Sequence, residues 1–129
     1  MDEQVVSSLR RWFPEMDFGR VRLVHSGPVS WFVRTVLRQG AMTISPFVFF
    51  GKHEYDPASS RSLALLAHEL KHIEQYGEMG HARFLFTYMR DRIKAGKYSR
   101  ELPLEVGPYG LQDDVRAALE APPETPPAV

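Results

Sequence analysis

The sequence predicts an α+β fold in a single domain spanning residues 1–120, followed by a proline-rich tail over 121–129. Three observations carry this expectation. Strand-like segments are confined to the stretch before Gly51 and helical periodicity dominates afterwards, the segregation expected of an α+β layer arrangement. A chain of 129 residues suits one hydrophobic core and leaves little room for a second. Apolar residues at 43% and charged residues at 25% are ordinary for a folded globular protein and far from the balance of a disordered one.

Val5, Val6, Leu9, Trp12 and Phe13 fall at helical spacing until Pro14 interrupts them, which predicts a short amphipathic helix lying as a lid on the core. Val21, Leu23 and His25 alternate with Arg20, Arg22 and Val24 ahead of the breaker Ser26-Gly27-Pro28, and read as a strand. Val29 to Gln39 then puts Trp31, Phe32, Val36 and Leu37 on one helical stripe, with Gly40 as the stop. The Ile-, Val- and Phe-rich run from Ala41 to Gly51 is cut by Pro46, as in a bulged or edge strand pair. Asp56 to Ser60 forms a turn with N-cap candidates, Arg61 to Tyr76 a strong helix ended by Gly77, and Ala82 to Ala95 another ended by Gly96. Phe84, Leu85, Tyr88, Met89 and Ile93 supply the apolar positions of the latter. Leu111 to Ala121 is a shorter last helix, and PPETPPAV an extended tail.

Several function classes lose support from composition. Lysine plus arginine balances aspartate plus glutamate at 16 each, so net charge gives no reason to expect a polyanionic partner. Cysteine is absent, so any metal must be held by His, Asp or Glu. MDEQVVSSLRRWF lacks the basic flank and apolar run of a secretory signal, and no apolar stretch is long enough to span a bilayer. The expected location is the cytoplasm, with export by a signal-free route compatible with the same sequence.

The chemistry concentrates in LLAHELKHIEQY, Leu65 to Tyr76. Residues four apart on a helix lie about 40° apart around its axis and one turn along it, so His68 and His72 are able to hold one ion together. Glu69 is turned by about 100° from His68, which removes it from the ligand set but leaves its carboxylate able to reach a water beside the metal. Zinc hydrolases divide the labour this way: the metal acidifies water and polarises a carbonyl, and the glutamate takes the proton. The bland alternative is a helix that merely carries histidines. Leu63, Ala64, Leu66, Leu70 and Ile73 mark this helix as largely buried, and burial of His68, Glu69 and His72 without a common partner is costly.

A catalytic zinc ion, Zn2+, takes a third protein ligand and keeps an open position. His25 at a strand end, His53 beside a turn and His81 at a helix start each read more readily as surface or structural histidines. Glu105, in Leu102-Pro103-Leu104-Glu105, follows a proline suited to a helix first turn and sits between apolar residues, which puts it modestly ahead of His81 and Asp113.

The succession MDFGRVRLVHSGP, a strand region ending VFFG, then YDP and LLAHELKHIEQY resembles the bacterial zincin-like metallopeptidase domain associated with extracellular contractile injection systems and polymorphic toxins, over Asp17 to about Tyr109. The resemblance implies a small gluzincin arrangement: an N-terminal helix and short mixed sheet packed on the HExxH helix, with a later helix giving a glutamate ligand. In that class the third ligand lies in a pattern close to E-x-x-x-D, with tyrosine at the last position in relatives like this chain, and Pro103-Leu104-Glu105 with Tyr109 fits it. The resemblance therefore raises Glu105 to third ligand and gives Tyr109 a part either behind the ligands or as a donor to a developing oxyanion. Where relatives commonly carry Glu-Ala, this chain has Gly107-Pro108, a pair that disfavours a continuing helix and predicts an irregular turn at Glu105.

The expected function is zinc-dependent peptide-bond hydrolysis, with zinc on His68, His72 and Glu105, Glu69 as general base, and a protein or peptide substrate laid as an extended strand near Phe47 to Phe50. The alternative is a zinc-stabilised binding or assembly module, without hydrolysis, carried with a secretion or toxin system. No membrane partner is expected. Arg90, Arg92, Lys94 and Lys97 with interleaved Phe84, Phe86 and Tyr88 resemble a nucleic-acid surface, but Asp91 answers the arginines and Phe84 and Tyr88 sit at core spacing, so a solvated helix face is the expectation.

Overall fold

The computed structural model describes residues 1–37, 40–51 and 55–121; the candidate ligand His53 and the tail from Pro122 lie outside them, as do the side chains of Val36 and Leu37. The described residues form an α+β fold of five α-helices and a three-stranded mixed sheet. In chain order these are α1 (Glu3–Leu9), β1 (Arg22–Val24), α2 (Pro28–Phe32), β2 (Ala41–Ile44), β3 (Phe47–Phe50), α3 (Ser60–Met79), α4 (His81–Ala95) and α5 (Pro103–Glu120). None of these helices is long and apolar enough to cross a membrane.

The Asp2 side chain caps α1 by accepting from the Gln4 N–H at 2.7 Å. The helix stops before Trp12 and Phe13, and Phe13 enters the core from the turn that follows, fully buried. β1 pairs parallel with β3 and β2 pairs antiparallel with β3, giving the order β1-β3-β2. Phe47 to Phe50 is therefore the central strand, and the expectation of a substrate edge there is corrected: β3 is paired on both sides, which leaves no row of free backbone groups. The strand beside the open face is β2.

The predicted helix from Val29 splits into α2 and a π-helical turn at Val33–Leu37, and the described side chains of its stripe are turned outward. Trp31 and Phe32 are exposed, while Val33 is the buried member. Ser59 caps α3 by accepting from the Ser62 N–H. Gly77 lies within α3 instead of ending it; the stop is Gly80, whose positive φ of 81° suits a residue without a Cβ. α5 starts at Pro103, well before the predicted Leu111, and runs unbroken through Gly107-Pro108, so the expected irregular turn is absent.

The core joins Leu9, Phe13 and Phe18 from the N-terminal segment, Val48 and Phe50 from the sheet, Leu63, Leu66 and Leu70 from α3, and Val115 from α5. α3 packs most extensively on α5 and next on β2, which places it as the central helix. α4 holds only Phe84 fully inside. Leu85, Met89 and Ile93, expected as packing positions, are exposed because no element covers that side of the helix among the described residues.

Candidate metal centre

Residues His68 and His72 project from one face of α3, and both are buried. A glutamine amide oxygen faces each Nδ1: Gln112 Oε1 at 2.9 Å from His68 and Gln75 Oε1 at 2.8 Å from His72. Amide oxygens only accept, so each Nδ1 carries a proton and donates it, and each Nε2 is directed at the common site. The orientation of both rings is thus settled by neutral partners on α3 and α5.

Glu105 enters from the first turn of α5. Its Oε1 lies 3.4 Å from His68 Nε2 and 2.5 Å from His72 Nε2. One ligand atom from each of His68, His72 and Glu105 falls within 4.8 Å of the others, and all three residues are buried. Glu105 Oε1 is itself buried without a hydrogen bond of acceptable geometry despite its nearness to His72. Two imidazole lone pairs and an orphaned carboxylate oxygen converging in the interior make a donor set that a cation completes, and in its absence a proton between His72 and Glu105 does so in part.

The ionisation behaviour agrees. Burial acts to lower the His72 pKa, but its close contact with Glu105 and the charges of Glu69 and Glu105 outweigh it and the pKa is raised. Burial acts to raise the Glu105 pKa, yet contacts with His68, His72 and Tyr98 hold it well below the carboxylate range. Glu105 is an anion.

Its second oxygen, Oε2, accepts from the Tyr98 hydroxyl, and the hydroxyls of Tyr98 and Tyr109 are 2.5 Å apart. Tyr98 has one proton and gives it to Glu105, so Tyr109 donates to Tyr98. The Tyr109 ring stands edge-on to His68 at 4.4 Å between centroids, with the Arg100 guanidinium 4.4 Å over its other side. Burial, followed by the bonds to Glu105 and Tyr109, pushes the Tyr98 pKa upward. Tyr98 escaped the sequence reading because it lies in the polar connection after α4, where no periodicity marks it.

Glu69 stands apart from the three, as its rotation on the helix implies. Its Oε2 accepts from Thr43 Oγ1 at 2.5 Å, and the Tyr76 hydroxyl donates to the Thr43 carbonyl at 3.2 Å. Thr43 was also not singled out from the sequence, although its inward place on an alternating strand is the signal that marks it. Burial raises the Tyr76 pKa to about 12, so this hydroxyl keeps its proton. Together the two contacts lash β2 to α3 beside the centre.

The other candidates go elsewhere. The His25 ring stacks against Phe50 and Tyr55, with centroids at 5.2 and 5.4 Å, in a three-ring cluster whose other two members are 4.9 Å apart. His81 Nε2 lies 2.8 Å from the Ser45 carbonyl, and Asp113 is exposed in an ion pair with Arg100 at 3.0 Å. On α4, Arg90 pairs with Asp91 at 3.3 Å, Phe84 is buried, Tyr88 is half-buried and Phe86 is exposed. The centre opens on a cleft of about 1210 Å³, lined by Gly40 and β2 and by Leu85, Tyr88 and Met89 of α4.

Fold and site define an α+β domain with a buried two-histidine, one-glutamate group, able to bind a metal, at the base of a cleft. The chain belongs to the eCIS core domain family, whose model matches residues 1–80, and the match associates it with extracellular contractile injection systems. The matched region carries both histidines and Glu69 and ends at Gly80; Glu105, Tyr98 and Tyr109 lie beyond it. Comparison with curated proteins and with solved structures found no match.

Proposed function

We propose that the protein is a zinc-dependent metallopeptidase of the small gluzincin type, hydrolysing peptide bonds in this cleft. The observation that carries the reading is the convergence of His68 Nε2, His72 Nε2 and the orphaned Glu105 Oε1, with the Glu69 carboxylate beside them on the cleft wall. Two nitrogens and one carboxylate oxygen suit zinc. Bound there, the ion supplies Lewis-acid polarisation of a carbonyl and acidification of a water.

The remaining work falls to the chain. Glu69 takes the proton of the attacking water and passes it to the departing amine, with Thr43 holding Oε2 and thereby aiming the carboxylate. Tyr109 acts through Tyr98 and on the His68 ring, as a positioning residue for the ligands, because its hydroxyl proton is engaged by Tyr98. The antiparallel register, with the Gly51 N–H bonded to the Gly40 carbonyl at 2.8 Å, turns both backbone groups of Ala41 and the N–H of Thr43 to the free edge of β2, the Thr43 carbonyl there being taken by the Tyr76 hydroxyl. A substrate strand pairs there.

A second reading, a zinc-stabilised assembly module without hydrolysis, draws on the association of the family with an injection machine. Elemental analysis and peptide hydrolysis on the same preparations separate the two. The peptidase reading expects near-stoichiometric zinc in wild type, its loss in His68→Ala and Glu105→Ala, and retention in Glu69→Gln with hydrolysis lowered about 10²- to 10⁴-fold. Zinc without hydrolysis of any peptide in a broad library supports the assembly module, and no zinc in wild type refutes both.

A further inference from the structure

The pair Gly107-Pro108 distinguishes this α5 from an ordinary helix. An N–H at position 108 would close the hydrogen bond to the Leu104 carbonyl four residues earlier, but Pro108 has none. Pro108 is fully buried and its helix continues on both sides. The Leu104 carbonyl takes its hydrogen bond from another element: Gln75 Nε2 of α3 donates to it at 3.1 Å. The same amide group accepts from His72 Nδ1 through Oε1 at 2.8 Å.

From this chain of contacts we infer that Gln75 is a positioning residue for His72, locked in place by the backbone carbonyl that Pro108 leaves open on α5. An unanchored glutamine amide turns end over end at little cost and presents either an acceptor or a donor to Nδ1. Anchored through Nε2 to a carbonyl, it presents only its oxygen, which fixes the His72 tautomer with Nε2 toward the site. Leu104 precedes Glu105, so the same bridge joins one ligand on α3 to the turn that carries another on α5. Pro108 thereby serves the site.

The inference depends on His68, His72 and Glu105 being a metal site, and its test keeps the two separable. Zinc affinity is measured by competition with a chromophoric chelator, and the visible spectrum of the cobalt-substituted protein is recorded, for wild type, Gln75→Leu, Gln75→Glu, and Gln75→Leu combined with Pro108→Ala. Gln75→Leu is expected to weaken zinc about 10- to 100-fold and to alter the cobalt bands. Gln75→Glu keeps an acceptor for Nδ1, and retains affinity within a few-fold of wild type. Pro108→Ala gives the Leu104 carbonyl an intrahelical donor; added to Gln75→Leu it is expected to recover melting temperature but not zinc affinity.

Recovery of affinity in that double variant would mean that Gln75 only holds the helices together, and overturns the positioning role. Unchanged affinity and bands in Gln75→Leu, or a drop in Gln75→Glu as large as that in Gln75→Leu, overturn it as well. Wild type that binds neither ion overturns the metal reading with it. If Gln75→Leu alone does not fold, its combination with Pro108→Ala decides: weakened zinc there supports the positioning role, and wild-type affinity overturns it.

Discussion

His72 carries the clearest consequence at the scale of one residue. Its folded-state pKa is raised, so the native state holds the proton more tightly than the unfolded chain, whose histidine titrates at about 6.5. That stabilisation is fully present below about pH 6.5 and is lost as pH rises through the raised value. Glu105 has the opposite sign: its pKa is depressed, so its contribution holds above the ordinary carboxylate range and fades as pH falls toward the lowered value. Metal-free protein is therefore expected to melt at a lower temperature at pH 8.5 than at pH 6.5. With zinc the trend reverses, since the ion competes with the proton on Nε2, and thermal melts with and without chelator across that range check both signs. A metal-free melting temperature that rises from pH 6.5 to 8.5 would contradict the shared-proton contact of His72 with Glu105.

His68, Glu69 and His72 were legible as a site because one helix carries them and helical geometry alone fixes their relation. Glu105 was weaker from the residues alone, and the resemblance chose it over His81 and Asp113. Thr43 and Tyr98 were not legible as partners, because Thr43 lies 26 residues from Glu69 and Tyr98 sits in a connection of no regular period. Their contacts exist only once β2 and the segment before α5 have packed around α3.

The strand order decides what the elements can do. Pairing β3 with both neighbours moves the free edge from Phe47–Phe50 to β2, on the cleft wall. Proline is tolerated on an edge strand where its missing N–H faces outward. Ala41→Pro is therefore expected to leave zinc content and the far-ultraviolet spectrum unchanged while raising KM for peptides severalfold, measured in steady-state hydrolysis. An unchanged KM would remove the β2 edge from substrate binding. α5 shows why local rules mislead at such places: Gly-Pro reads as a helix end, yet the helix continues, with the Leu104 carbonyl served by a donor from α3 and the Pro108 side chain fully buried.

Across the whole molecule, the ligands are only as well placed as the packing of α3 against α5 and the sheet. Leu66 and Leu70 are fully buried in that interface with Val115 of α5 and Val48 of β3 in the same cluster. Leu66→Ala is expected to cost about 2–5 kcal/mol of stability in chemical denaturation. Because zinc binds only the folded centre, excess metal recovers part of that loss, and a denaturation midpoint insensitive to zinc would show the ligands to be uncoupled from the core.

The sequence by itself determined the α+β class, the helix bearing His68, Glu69 and His72, and the glycine stop of α4, since periodicity, chain length and backbone preference are local properties. Tertiary structure alone decided which strand is central, that α5 passes through Pro108, and that Glu105, Tyr98, Thr43 and Gln112 gather around the histidines. Those depend on contacts between residues far apart in the chain, where burial of a shared apolar surface overrides the preference of any one segment.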